Sequence, residues 1–180
     1  MTPFEPRRKR KKRHFTVDWV VMVIIAIFFS LTIRSFLYEP FDVIGPSMQP
    51  TLQSGDFVIV NKWIYQFQQP NRGDVVVFHA LEEKDYIKRV IALPGERVAM
   101  EKGKLKINGK VMSESYLPPT TKTDDFPEQT VPAGKLFVMG DNRQNSRDSR
   151  DPDLGAISMN ELVGRVDFIY WPIARWQMLN

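Results

Sequence analysis

The chain has 180 residues, enough for one ordinary domain and a short appendage. With 43% hydrophobic and 26% charged residues it is not a wholly disordered chain, and the absence of cysteine excludes disulfides, thiolate metal sites and a thiol nucleophile. The formal charge of +4 is uneven: Arg7 to Arg13 are all basic, whereas from Leu37 onward 17 basic residues stand against 19 acidic ones, so the body of the protein lacks the basic surface of a nucleic-acid-binding fold.

The first predicted element is an apolar helix behind that basic run. Trp19 to Ile33 is free of charge, bracketed by Asp18 and Arg34, with Phe15, Phe36, Leu37 and Tyr38 at its margins. A span of the bilayer needs about 20 apolar residues, and Phe15 to Tyr38 is long enough when interfacial aromatics are included. A cleaved secretory signal is the competing reading. It fits less well, because Ser30 and Thr32 are the best small pair and no Ala-x-Ala site follows. The expected organisation is a basic cytoplasmic tail over residues 1–14, a transmembrane anchor over 15–38, and an extracytoplasmic domain over 39–180. The positive cluster keeps the amino terminus inside, in the cell membrane, beside anionic lipid.

Beyond the anchor the pattern is β. All 10 glycines and 11 of the 13 prolines lie after Tyr38 and punctuate short apolar runs. Phe57–Val60, Val75–Phe78, Tyr86–Leu93, Leu136–Met139 and Val163–Trp171 read as strands. Lys104–Ile107 followed by Asn108-Gly109 predicts a hairpin, because both turn residues tolerate the positive φ of a type I′ turn. Pro118 to Pro132 reads as a long surface loop. The fold class is mostly β, an antiparallel barrel or sandwich.

The two histidines, His14 and His79, supply neither a Ser-His-Asp triad nor a zinc-binding spacing, so no metal and no cofactor are expected. Three segments can carry chemistry. In Gly45 to Leu52, two prolines and a glycine fix a sharp turn around Ser47; a proline-rich turn with an incidental serine is the plain alternative. Lys88 lies in a strand-like, mostly apolar run, with Tyr86 and Val90 on its face and Ile87, Arg89 and Ile91 opposite. A buried lysine loses hydration, which disfavours its charged form and lets it accept a serine proton; an ordinary exposed lysine is the alternative. Gly140 to Arg150 packs three arginines, two aspartates and two serines into one turn. Their alternation favours internal ion pairs over a site for a charged ligand.

Together these segments resemble the type I signal peptidase family, of the Gram-positive type. Four elements occur in family order: Ser-Met-x-Pro-Thr-Leu at Ser47–Leu52, Arg-Gly-Asp-Val-Val-Val-Phe at Arg72–Phe78, Lys-Arg-x-x-x-x-Pro-Gly at Lys88–Gly95, and Gly-Asp-Asn-Arg-x-x-Ser-x-Asp-Ser-Arg at Gly140–Arg150. The resemblance implies a membrane-bound serine endopeptidase that removes signal peptides from exported preproteins after Ala-x-Ala-type sites. It implies that Ser47 is the nucleophile and Lys88 the general base, that Ser146 orients the lysine amine, and that Asp141, Arg143, Asp148 and Arg150 brace the site. It suggests Phe41, Val43, Leu52 and Ile87 as apolar walls that admit only small side chains. Gly45 stands where Gram-negative relatives have a serine hydroxyl that helps hold the oxyanion, which leaves the Ser47 backbone N–H as the assigned donor. Signal peptides and membrane lipid are the implied partners. The rivals are a self-cleaving, repressor-type Ser/Lys protease and a non-enzymatic, membrane-tethered β module; loss of cleavage with retained binding in Ser47→Ala separates the last from an enzyme.

Overall fold

The computed structural model describes residues 15–80 and 84–179. The basic run and His14 lie outside the described residues. A helix, α1, covers Phe15–Phe36, and its described side chains from Trp19 to Leu31 are exposed and apolar apart from Ser30. Among the described residues, no helix is long and apolar enough to cross a membrane.

The rest is built from two antiparallel sheets. Strands β1 (Tyr38–Asp42), β2 (Phe57–Asn61), β3 (Val75–His79), β4 (Asp85–Ala92), β9 (Lys135–Met139), β10 (Ile157–Ser158), β11 (Leu162–Trp171) and β12 (Gln177–Met178) form the larger sheet. Its order is β1-β2-β11-β3-β4-β9-β10, with β12 paired to β11. The smaller sheet, in the order β7-β6-β5-β8, joins β5 (Arg97–Glu101), β6 (Lys104–Ile107), β7 (Lys110–Val111) and β8 (Phe126–Thr130). The larger sheet does not close into a barrel; β1 and β10 are its free ends.

The expected strands form where alternation or continuous apolarity lets them bury a face. Val75 to Phe78 are all buried, as suits a central strand covered on both sides. The hairpin turn is as expected, with φ of 51° at Asn108 and 79° at Gly109. Part of the segment read as a surface loop is instead β8, which pairs with β5. Only Phe126 of β8 turns inward, against Phe137 at 5.6 Å, so its outer face is as polar as a loop. Trp63 to Phe67 adds one helical turn, α2 (Ile64–Phe67).

Three buried clusters result. One lies under the turn after β1 and includes Val43, Met48, Leu52, Val58, Val60 and Ile169. A second joins the smaller sheet to β4 and β9 through Ile91, Val98, Met100, Phe137 and Met139. The third packs Val76, Phe78, Val90 and Val138 on the far side of β4. β4 therefore runs through the middle of the molecule and contributes to all its layers.

Candidate active site

The turn 43–56 projects from the end of β1. Its base is closed by Val43 N–H to the Asp56 carbonyl and Gly55 N–H to the Val43 carbonyl, both 2.9 Å. Its middle is closed by Gln49 N–H to Pro46 O at 3.1 Å and Leu52 N–H to Met48 O at 2.9 Å. Met48 and Leu52 are 1% and 0% exposed, so the turn is pinned by side chains driven into the core. Gly45 has φ +94°, a conformation that strains any residue with a side chain, which accounts for glycine there. Ser47 is left half-buried at the crest.

β4 delivers Lys88 to that crest. Lys88 is opposite Val76 in the β3–β4 register and is 4% exposed. Its Nζ lies 2.9 Å from Ser47 Oγ and 2.9 Å from the Ile87 carbonyl, over the Tyr86 ring at 5.1 Å. Burial lowers its pKa from 10.5 to about 8, with the charge of Asp148 acting weakly in the other direction. A serine hydroxyl and a lysine amine that is neutral at mildly alkaline pH thus share one hydrogen bond.

The loop 140–150 completes the crest. Asn142 N–H donates to the Ser47 carbonyl at 3.0 Å and Asn142 Nδ2 to the Pro46 carbonyl at 3.1 Å. Gly140 permits this approach: a Cβ there would stand 2.4 Å from the Ser47 carbonyl and 2.2 Å from Ser146 Oγ. Asp148 accepts the Gly140 N–H at 2.9 Å and a two-pronged contact from Arg150 at 2.8 Å. Burial works against its charge, but Arg150 and the Gly140 N–H outweigh it and hold Asp148 below the usual carboxylate range. Arg150 Nη1 also reaches the Arg143 carbonyl at 2.8 Å. Arg143 is fully enclosed and pairs with Glu114 at 2.6 Å.

Ser146 Oγ is buried without a well-formed hydrogen bond, though near enough to Asp148 to favour its ionised form. The second contact of the lysine amine is the Ile87 carbonyl, not Ser146. Asp141 meets Arg89 rather than the dyad: Arg89 Nε and Nη2 donate to its two oxygens at 2.9 and 2.6 Å, and Thr51 Oγ1 donates to Oδ2 at 2.5 Å. His79, at the end of β3, has a carboxylate partner that the sequence order concealed, Asp85 at 2.6 Å across the β3–β4 register.

A cleft of about 670 Å³ opens beside Ser47, walled by Phe41, Val43, Ile44 and Gly45 on one side and by Tyr86, Ile87 and Lys88 on the other. Phe41, Val43 and Ile87 thus border the cleft; Leu52 lies beneath it, in the core. Tyr86, which the sequence placed on the face of Lys88, thus joins it at the cleft, while Met48 and Asn145 also line it and were not singled out as site residues. So did Glu114 and Tyr116, which reach Arg143 and Arg89 from the segment between β7 and β8. Among the described residues, no group of three His, Asp or Glu side chains is placed to hold a metal ion.

The two antiparallel sheets thus carry a serine and a buried lysine in hydrogen-bond contact at the edge of a cleft. Residues 16–171 match the family described as "Signal peptidase, peptidase S26". A signal peptidase I of Bacillus caldolyticus is 40% identical over 94% of this chain and 97% of its own. Signal peptidase I P of Bacillus subtilis subsp. natto is 40% identical over 94% and 96%, and signal peptidase I T of Bacillus subtilis is 42% identical over 91% and 89%. A crystal structure of a signal peptidase I from Enterococcus faecalis is 32% identical and covers 55% of this chain and 97% of that one, with a TM-score of 0.49. The chain belongs to the signal peptidase family, peptidase S26, and its activity is that of a serine peptidase that removes signal peptides.

Proposed function

We propose that this signal-peptide-removing enzyme works through a Ser47/Lys88 dyad. The observation that carries the proposal is the 2.9 Å contact between Ser47 Oγ and the amine of a lysine that is 4% exposed. The neutral Lys88 amine takes the Ser47 proton as Oγ attacks the scissile carbonyl carbon. The ammonium then returns that proton to the departing amine, leaving an ester between Ser47 and the signal peptide. Water, deprotonated by the same amine, hydrolyses the ester and regenerates the serine. The Ser47 backbone N–H stabilises the oxyanion. Asp141, Arg143, Asp148 and Arg150 hold the surrounding loop through their ion pairs, and the orienting role implied for Ser146 would require its hydroxyl to turn towards the lysine when substrate binds.

The cleft beside Ser47 suits an extended peptide. Phe41, Val43 and Ile87 restrict the side chains before the cut to small ones, as Ala-x-Ala sites supply, with Leu52 backing that wall from the core. Residues 15–38 anchor the protein in the cell membrane, with 1–14 cytoplasmic and 39–180 outside. This is supported by α1, whose exposed side chains from Trp19 to Leu31 are apolar apart from Ser30, a surface poorly suited to water. No cofactor enters the mechanism. The test is to incubate detergent-solubilised protein with a precursor and to sequence the new amino terminus. Cleavage after an Ala-x-Ala site, lost in Ser47→Ala, is the expected result.

A further inference from the structure

We propose that Arg175, which lies outside all four sequence elements of the resemblance, is a positioning residue that clamps the turn carrying Ser47. The inference rests on the reading of Ser47 as the nucleophile. Arg175 ends a short 3-10 turn, Ile173–Arg175, that follows β11. Its guanidinium donates from Nε to Asp56 Oδ1 at 2.8 Å, and from Nη2 to Asp56 Oδ2 at 3.0 Å and to the Thr51 carbonyl at 3.2 Å. One planar fork therefore grips two points of the 43–56 turn at once.

Both points matter to the placement of Ser47. Asp56 is 1% exposed, and a carboxylate at that depth needs a partner. Its backbone carbonyl receives Val43 N–H at 2.9 Å, and its Oδ2 receives Gln53 N–H at 2.8 Å. Asp56 thus ties the chain entering the turn to the chain leaving it, and Arg175 supplies its counter-ion. Thr51 links the clamp to the rest of the site. Its carbonyl is held by Arg175, while its hydroxyl donates at 2.5 Å to Asp141, the partner of Arg89 next to Lys88. The turn is consequently held from two sides, by the 140–150 loop at Pro46 and Ser47 and by Arg175 at Thr51 and Asp56.

A clamp of this kind acts more on orientation than on peptide binding. Phe41, Tyr86 and Ile87 of the cleft belong to β1 and β4, which Arg175 does not hold, whereas Val43, Ile44 and Gly45 belong to the clamped turn, so a smaller effect on KM accompanies the larger one on kcat. A shift of a nucleophile by about 1 Å can cost about 100-fold in rate. Lysine is a poor replacement, because a compact ammonium cannot satisfy two carboxylate oxygens and a carbonyl in one plane.

The experiment uses the full chain in detergent with a precursor substrate. Active sites are counted by titrating to completion with a serine-directed covalent probe, so that misfolded molecules drop out of the rate. Arg175→Gln is expected to lose about 10- to 100-fold in kcat per titrated site while KM stays within about threefold. Arg175→Lys is expected to fall in between, and Asp56→Asn with Arg175→Gln to be no worse than Arg175→Gln alone, because the two act as one unit. A parental kcat per site in Arg175→Gln, with only a lower Tm, overturns the clamp; if that variant does not fold, a parental kcat per site in Arg175→Lys overturns it equally. Ser47→Ala is run in parallel. If it still cleaves, the dyad fails and the clamp with it; if it is dead beside an undiminished Arg175→Gln, the clamp alone fails.

Discussion

Lys88 and Arg89 are neighbours on β4, and both are buried, at 4% and 5% exposure. Strand alternation sends them to opposite faces, and there they meet different company. Arg89 finds both oxygens of Asp141, the Gly73 carbonyl at 2.8 Å and the Tyr116 ring at 4.1 Å. Lys88 finds a hydroxyl and a carbonyl. The same desolvation therefore yields a permanent structural cation on one face and a titratable amine on the other. Two things decide it: a counter-ion within contact, and a guanidinium that does not deprotonate at any working pH.

The contrast is broken most severely by removing the titratable member or its partner. Ser47→Ala and Lys88→Ala are each expected to lower precursor cleavage by about 10⁴-fold or more, with the double variant little worse than either, because the pair acts as a unit. Lys88→Arg is expected to be equally inactive, since it puts a permanent cation on the wrong face. Circular dichroism should show all of them folded. Substantial cleavage by any one of them would end the assignment.

On the other face the weak point is the counter-ion. Asp141→Asn leaves Arg89 charged, buried and unpaired, which is expected to cost about 3–5 kcal/mol of stability. Urea unfolding of the full chain in detergent measures it. A loss well under about 1 kcal/mol would mean that the pair is not what holds Arg89 in place.

The pH response sharpens the comparison from the Lys88 side. Cleavage is expected to rise about tenfold per pH unit below the Lys88 pKa of about 8 and to level off above it. Stability follows with a definite sign. The folded pKa lies below the unfolded value of 10.5, so between about 8 and 10.5 the folded chain binds fewer protons and gains stability as pH rises. Below about 8 the full penalty of the buried ammonium applies, on the order of 3 kcal/mol. Lys88→Met removes that penalty, so it is expected to be inactive yet more heat-stable than the parent at pH 7, with the difference shrinking towards pH 10. A Tm difference that does not change with pH would refute a depressed lysine.

Much of this arrangement could be read from the chain. The apolar runs that became β2, β3, β4, β9 and β11 are long or alternating enough to declare themselves, and the Lys88 face followed from alternation within β4. β1, β5 and β8 did not declare themselves. Tyr38–Asp42 and Phe126–Thr130 each contain a proline and few inward-facing residues, which is the composition of a free edge as much as of a loop. Within the site, a rigid turn around Ser47 and a lysine amid apolar residues at Lys88 are local patterns that marked candidates only, and it was the resemblance that implied their roles. Thr51, Glu114, Tyr116 and Arg175 were not legible, because what each does depends on partners far along the chain: Asp141 for Thr51, Arg143 for Glu114, Asp56 for Arg175. An ion pair between distant segments leaves no spacing to read. Asp141, Asp148 and their arginines were expected to pair among themselves, and Arg150 with Asp148 does so, whereas Asp141 and Arg143 find partners outside the loop.

The smallest expected effect concerns the exposed aromatic and apolar side chains around α2 and from Trp171 to Met178. Trp63 and Phe67 stack at 5.7 Å, and Trp171, Ile173, Trp176 and Met178 are all more than half exposed. Tryptophan suits the membrane interface, with an apolar body and a polar edge. Removing residues 1–36 is therefore expected to give a folded, weaker enzyme that binds vesicles and regains activity with lipid, by about a few-fold, since no proposed catalytic residue is lost and only a shallow apolar surface is engaged. Vesicle co-sedimentation and a lipid-dependent change in tryptophan emission measure the binding. Arg175 sits between exposed Ile173 and Trp176, so lipid that orders this turn also steadies the grip on Asp56 and Thr51. In Arg175→Gln, vesicle binding should then persist while the stimulation disappears. Equal stimulation in the truncated parent and its Arg175→Gln variant would separate membrane contact from the placement of Ser47, and no vesicle binding with unchanged activity in plain buffer would remove the lipid surface altogether.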